Sequence, residues 1–213
     1  MKYHITKIMQ DVRVCLDQNM TSDALIEAED SDTLSLDEII RSKVPEAVLR
    51  VHVEAPVHLL ECGHNMDGAI CWDEGDCVSG WIPLPDDFLR LVVFSMDDWD
   101  CAVYTAISAD SPLYAMQRSR FRGIRGTPQK PVCALGIRPE GRVLEFYSCR
   151  SRDAKVSRAV YIPCPEIDAD GYVDCSERCY NAIVYAAAAL TLQSCGESEK
   201  ASVFSNLANT FLK

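Results

Sequence analysis

Catalytic signatures are missing from these 213 residues. There is no Gly-x-Ser-x-Gly elbow to present a nucleophile and no Gly-x-x-x-x-Gly-Lys loop to cradle phosphates. No Gly-x-Gly-x-x-Gly follows a strand, and no His-Glu-x-x-His pair sits on a helix to face zinc. Histidine is scarce, with 4 in the chain. The adjacent acids Asp86-Asp87 and Asp97-Asp98 do not form carboxylate dyads, because neighbours in a strand or turn point in different directions and turn formation explains both. No catalytic residue and no cofactor is therefore expected. Long apolar runs are also lacking: the start, MKYHITKIMQDVRVCLDQ, carries charges throughout. That pattern leaves no signal-peptide core and no membrane span, so the expectation is intracellular synthesis without membrane contact. Basic charge is short as well. Lys and Arg number 21 against 32 Asp and Glu, a net charge of -11 and a pI near 4.8. Such a chain is not built to wrap nucleic acid, which needs clustered cations.

What is present is an ordinary globular apolar fraction of 48%, enough for one sizeable core or one domain with a helical appendage. The 11 cysteines are an odd number, and many lie in apolar runs, which reads as reduced, small core residues in a reducing compartment. Cys62, His64, Cys71 and Cys77 lack the paired spacing of a structural zinc site, and Cys175 and Cys179 sit one helical turn apart on what reads as the inner face of a helix. No metal site is expected. Glu166 to Glu177 tracks a calcium loop at several places, but its first position carries Glu rather than Asp. Pro163 and Pro165 also forbid an entering helix, so an Asp-Gly turn leading into a capped helix accounts for the stretch. One basic run, Arg118 to Lys130 (RSRFRGIRGTPQK), stands out against the acidic background. Its Gly123, Gly126 and Pro128 favour a solvated loop over a nucleic-acid contact.

Along the chain, Ile5, Ile8, Met9, Val12 and Leu16 place one apolar stripe on a helix from about Tyr3 to Asn19. Thr21 to Thr33 is an acidic connector. Ser35 and Glu38 have capping-box spacing and start a second helix, which Pro45 is expected to break or restart before Pro56 ends it. Residues 59–79 read as loop with at most short strands. Gly80 to Val103 then marks the change to β structure: Pro83 and Pro85 exclude a central strand, and Phe88 to Phe94 reads as a strand buried on both faces. Cys101 to Ile107 has the composition of a second strand. Ser111-Pro112 starts a short helix, and Pro131 to Ile137, Arg142 to Cys149 and Lys155 to Ile162 read as strands, the first two joined as a hairpin through Pro139-Glu140-Gly141. Ser176 caps a nearly all-apolar helix, Cys179 to Leu192, with Gly196 as its stop and a last helix after Ser198. The sum is an α+β fold: N-terminal helices (1–58), an irregular region (59–79), a β-rich region (80–163) forming an antiparallel sheet or small sandwich, and a C-terminal helical hairpin (164–213) that forms one structural unit with the N-terminal helices.

The layout and several short strings resemble the head-to-tail adaptor, or ring, proteins of tailed bacteriophages, including the tubular tail adaptors of short-tailed phages. The strings are Gly80-Trp81-Ile82-Pro83-Leu84-Pro85-Asp86-Asp87-Phe88-Leu89-Arg90-Leu91, the Tyr161-Ile162-Pro163 exit from the sheet, and Tyr180 to Leu192 with the helix after it. The resemblance implies a non-enzymatic virion component at the head-tail junction, made in the host bacterial cytoplasm. It would form a homo-oligomeric ring, commonly a dodecamer, between a portal protein and a tail or second ring protein, passing DNA through its channel without sequence-specific binding. Two features agree with this: strong negative charge would keep a channel from sticking to DNA, and an all-apolar helix is hard to bury within one subunit of this size. The expected subunit-interface residues are Tyr180, Ile183, Tyr185, Ala187 and Leu190. The competing expectation is a soluble cytoplasmic enzyme or metal-binding accessory protein with a site near Cys62 to Cys77; a second is a binding module using the basic loop.

Overall fold

A computed structural model describes residues 1–19, 35–60, 63–75, 77–119, 121 and 123–213. The acidic connector and Cys62 lie outside the described residues. The chain begins with β1 (Lys2–His4), α1 (Ile5–Asn19), α2 (Leu36–Glu54) and α3 (Val57–Leu60). Strands β2 (His64–Asn65), β3 (Cys71–Trp72), β4 (Gly80–Pro83), β5 (Phe88–Met96) and β6 (Ile107–Ser108) follow, then α4 (Pro112–Met116). After β7 (Val132–Arg138), β8 (Gly141–Tyr147), β9 (Val156–Pro163) and β10 (Tyr172–Asp174), the chain closes with α5 (Glu177–Ser194) and α6 (Ser198–Thr210). The fold is α+β. It divides into a helical unit, Met1–Cys62 with Cys164–Lys213, and a β unit, Gly63–Pro163. Residues 63–79, read as irregular, therefore belong to the β unit, where they supply β2 and β3.

In the helical unit α1 buries the face its spacing marks, with Ile8 and Val12 fully enclosed. At the start of α2 the capping box forms as read: the Glu38 N–H donates to Ser35 Oγ (3.3 Å) and the Ser35 N–H to Glu38 Oε2 (2.8 Å). Pro45 does not break α2, which is a correction to the sequence reading. The proline lies on the exposed side, where the carbonyl it leaves without an intrahelical donor can meet water. Ile40 and Val44 before it and Ala47, Val48 and Val51 after it are all buried, so packing carries the helix across the missing bond. Pro45→Ala is expected to raise stability by about 1 kcal/mol in urea unfolding, the helical gain exceeding the lost restraint on the unfolded chain.

Helix α5 is the centre of this unit. Cys179, Ala182, Ile183, Ala187 and Ala188 are fully buried, with α1, α2, α3 and α6 packed around them. Alanine makes this feasible, because its small side chain lets neighbouring backbones approach closely. The premise that such a helix needs a second subunit for its burial is thus corrected: the chain covers it itself. At its end Gly196 adopts φ +82°, its N–H donates to Gln193 O (3.2 Å) and the Glu197 N–H to Leu192 O (2.9 Å), the paired bonds of a Schellman stop. Gly196→Ala should cost about 1 kcal/mol, read as a lower thermal midpoint, since an L side chain is strained there. A two-stranded ribbon, β1 with β10, completes the unit.

The β unit has two sheets, a three-stranded one in the order β2-β9-β5 and a five-stranded one in the order β3-β4-β8-β7-β6. All pairings are antiparallel except β6 with β7. Contrary to the expectation from Pro83, β4 is an inner strand; β3 pairs only with Gly80 and Trp81, so Pro83 lies past the end of that ladder, where its missing N–H costs no bond. Phe94 of β5 and Phe146 of β8 are both fully buried and meet with ring centroids 5.6 Å apart, and Trp99 packs edge-on against each. An aromatic centre shared by strands of both sheets makes the unit a small sandwich. Cys101 to Ile107 is not a strand, which also corrects the sequence reading. Val103 alone bridges to Phe94, through two 2.8 Å backbone bonds, while Cys101 and Tyr104 are exposed and only Ile107 enters β6. The segment lacks the alternation of buried side chains that would hold it in a ladder.

Candidate functional site

The β7–β8 hairpin brings a buried acid to the middle of a polar cluster. Glu145 is 4% exposed, between Leu144 and Phe146 of β8. Burial of a carboxylate is costly unless donors surround it, and here three do. Arg138 Nε donates to Oε1 (2.8 Å), while the hydroxyls of Tyr147 (2.6 Å) and Tyr114 (2.9 Å) donate to Oε2. Arg138 also reaches Asp73 Oδ1 (3.0 Å) and lies over the Trp81 ring at 5.4 Å. Burial pushes the Glu145 carboxyl up, but the bonds from Tyr147, Arg138 and Tyr114 outweigh it and leave it below the usual range. Burial first, then the carboxylate, holds Tyr147 and Tyr114 above the ordinary phenol range. Glu145 is thus a fixed anion with its oxygens already engaged, which suits a brace rather than a proton shuttle.

What the brace holds is α4 and the loop after it. Tyr114 ties α4 to β8 through Glu145. One turn on, Gln117, 4% exposed, donates from Nε2 to Leu113 O (2.9 Å) and accepts the Gly126 N–H at Oε1 (2.8 Å). Ser148, with φ +76°, donates its hydroxyl to Gly126 O. A Cβ on Gly126 would come within 3.1 Å of Val132 Cγ2 and 3.2 Å of Ser148 Oγ, so any side chain there would have to push these neighbours aside by a few tenths of an ångström. Thr127 and Lys130 close a turn, and the Asp100 N–H donates to Pro128 O (2.9 Å). The basic run is a largely exposed loop, as its glycines and proline indicate, and the structure adds that it is tied to the fold around Gly126. Its 126–130 part is pinned from several sides, and Arg125 reaches Cys77.

This pinning leaves an apolar and cationic platform in water. Leu113 is 50% exposed, Met116 42%, Phe121 60% and Ile124 52%, with Arg118 and Lys130 exposed among them. Arg118 lies over the Tyr114 ring at 5.7 Å. Beside the platform is a groove of about 540 Å³ lined by Leu84, Phe88, Leu89, Tyr114, Leu135 and Ile137, the last 87% exposed. Exposed aromatics with arginine are the composition of protein interfaces.

The five residues expected at a subunit contact fall differently. Ile183, Ala187 and Leu190 are buried in the chain's own core, so a neighbouring subunit could not reach them without opening the helix layer. Tyr180 and Tyr185 keep partial exposure. The Tyr180 hydroxyl donates to Asp11 Oδ2 (2.5 Å) and its ring packs on Tyr3, while Tyr185 stacks on Phe204 and Phe211. Among the described residues no group of three or more His, Cys, Asp or Glu could hold a metal ion. His64 is exposed and sits 3.9 Å from Asp87, and Cys77 is beside Arg125 instead of a second ligand. In Glu166–Glu177 two of the five carboxylates are engaged: Asp174 meets the N-terminal ammonium (3.1 Å), and Asp168 accepts the Tyr172 N–H (2.7 Å) across the turn that Gly171 closes. That is the turn chemistry expected from the sequence.

No protein-family model matches the chain, and no curated protein matches it. Among the described residues no helix is long and apolar enough to cross a membrane.

Proposed function

We propose that the protein is a non-catalytic assembly component, a head-tail adaptor that joins copies of itself into a ring between portal and tail in a bacteriophage virion. The observation that carries this reading is the layout: helices from both ends of the chain form one unit, and the residues of a β sandwich are inserted between them in the sequence. The same order of parts underlies the resemblance drawn from Gly80 to Leu91, Tyr161 to Pro163 and Tyr180 to Leu192. The polar cluster supports it too, since Glu145 and its donors brace a presented surface and leave no carboxylate oxygen for chemistry. Net negative charge suits a wall that DNA must slide past. The revised interface lies on the α4 platform, with Tyr180 and Tyr185 left as the accessible members of the first set.

Electron microscopy of the purified protein mixed with a candidate portal tests the reading. Rings capping the portal are the expected result. Single copies with and without portals, across portals of several phage types, would overturn it.

A further inference from the structure

We infer that the α4 platform and its basic run dock on the acidic segment Glu166–Glu177 of a second copy of this chain. The two stretches are of opposite charge and similar length. Arg118 to Lys130 holds five basic side chains (Arg118, Arg120, Arg122, Arg125, Lys130) and no acid; Glu166 to Glu177 holds five acids (Glu166, Asp168, Asp170, Asp174, Glu177) and no base. Basic and acidic residues nearly balance within the β unit, so most of the net charge of -11 falls in the rest of the chain. Like molecules with such a division attract in one orientation, positive stretch to negative stretch, and repel in others.

Of the described charges in the two stretches, Asp168 and Asp174 are already paired, with Lys2 (3.4 Å) and the N-terminal ammonium (3.1 Å). Among the described residues neither Arg118, Arg125 nor Lys130 forms an ion pair with a carboxylate, and neither Glu166, Asp170 nor Glu177 forms one with a cation. All five acids are exposed. Each stretch also presents apolar area: Phe121 and Ile124 on the basic one, with Leu113 and Met116 beside them, and Tyr172, 41% exposed, on the acidic one. A free polyanion such as DNA would meet the same cations, but it would have to approach a strongly negative molecule and would leave the exposed Leu113, Met116 and Ile124 uncovered. Because the two surfaces are different patches, the contact is head-to-tail, the kind that closes into a ring or continues as a filament. The inference names the contact by which copies meet, and rests on the assembly reading only for ring closure.

Zero-length carbodiimide cross-linking of an equal mixture of ¹⁴N- and ¹⁵N-labelled protein tests it. The expected products join Lys130 of one isotope to a carboxylate within 166–177 of the other, and they fade at about 0.5 M salt, where exposed charges are screened. Links from Lys130 only within one isotope, or only to acids elsewhere, would overturn the inference. A charge swap gives a second reading that does not depend on the cross-linker. Arg118→Glu, at an exposed position, should weaken self-association at least about tenfold by sedimentation, and Asp170→Lys in the same chain should restore it. An Arg118→Glu protein that associates like the parent would count against the contact. Rings forming on a portal with cross-links elsewhere would reject this contact and keep the adaptor reading; cross-linked copies that never close on any portal would do the reverse.

Discussion

Ala187→Glu is expected to cost at least 3 kcal/mol of stability, on the order of what an unpaired buried charge costs, or to prevent folding altogether. Ala187 is fully enclosed on α5, where the neighbouring Ile183, Ala186, Ala188 and Leu190 are buried too and offer no charged partner. The carboxylate must either lose its charge or push away the helices packed round α5. Ala187→Leu gives a graded version: overpacking there should cost about 1–3 kcal/mol while leaving the chain folded. Urea midpoints for both variants check this. A glutamate variant within about 0.5 kcal/mol of the parent would mean that α5 is not the core of the helical unit.

The second large effect is at Glu145. Glu145→Ala should destabilise the β unit by about 2–4 kcal/mol, because it strands the buried hydroxyl of Tyr147 and removes one of the two carboxylates holding Arg138. Glu145→Gln keeps the shape and an acceptor, and should cost less than the alanine. The carboxyl is held below its usual range in the folded protein, so it stays ionised there at pH values where the unfolded chain has begun to bind a proton. Its contribution is accordingly present in full above the ordinary glutamate range and lost as pH falls through that range towards the folded value. In Glu145→Gln that acid-side loss should be smaller than in the parent, measured as unfolding midpoints from pH 7 to pH 3. Equal slopes for the two would remove Glu145 from the acid response. Because the platform hangs from this cluster through Tyr114, the alanine variant should also weaken self-association.

Local chemistry was legible in the sequence where the partners lie within a few residues. The stripe on α1, the Ser35–Glu38 box, the Ser111 cap before Pro112, the β7–β8 hairpin and the Gly196 stop each depend on contacts one turn or one ladder away. Pro45 misled because its local cost is real but is overridden by buried neighbours on both sides, which proximity in sequence does not reveal. Cys101 to Ile107 misled for the opposite reason, having β-forming residues but nothing to bury most of them against. The order β3-β4-β8-β7-β6 and the enclosure of α5 depend on pairings far apart in the chain, and no short window contains them. Glu145 was missed, although a lone acid in the run Arg142-Val143-Leu144-Glu145-Phe146-Tyr147 is a readable sign of a buried carboxylate needing donors. Its donors come from Tyr114 and Arg138 as well as from Tyr147 of the same strand, so the cluster itself could not be assembled from sequence. Gln117 holds Gly126 from nine residues away, and nothing in the composition of the basic run distinguishes a pinned loop from a solvated one.

The central claim is that this chain is a part for assembly, and mass is its most direct test. Mass photometry of a purified portal ring, before and after addition of the protein, should show a discrete increase equal to a whole-number multiple of the 23.7 kDa chain, the multiple matching the symmetry of the portal. A portal mass that stays unchanged at saturating protein, for every portal tried, would contradict the account.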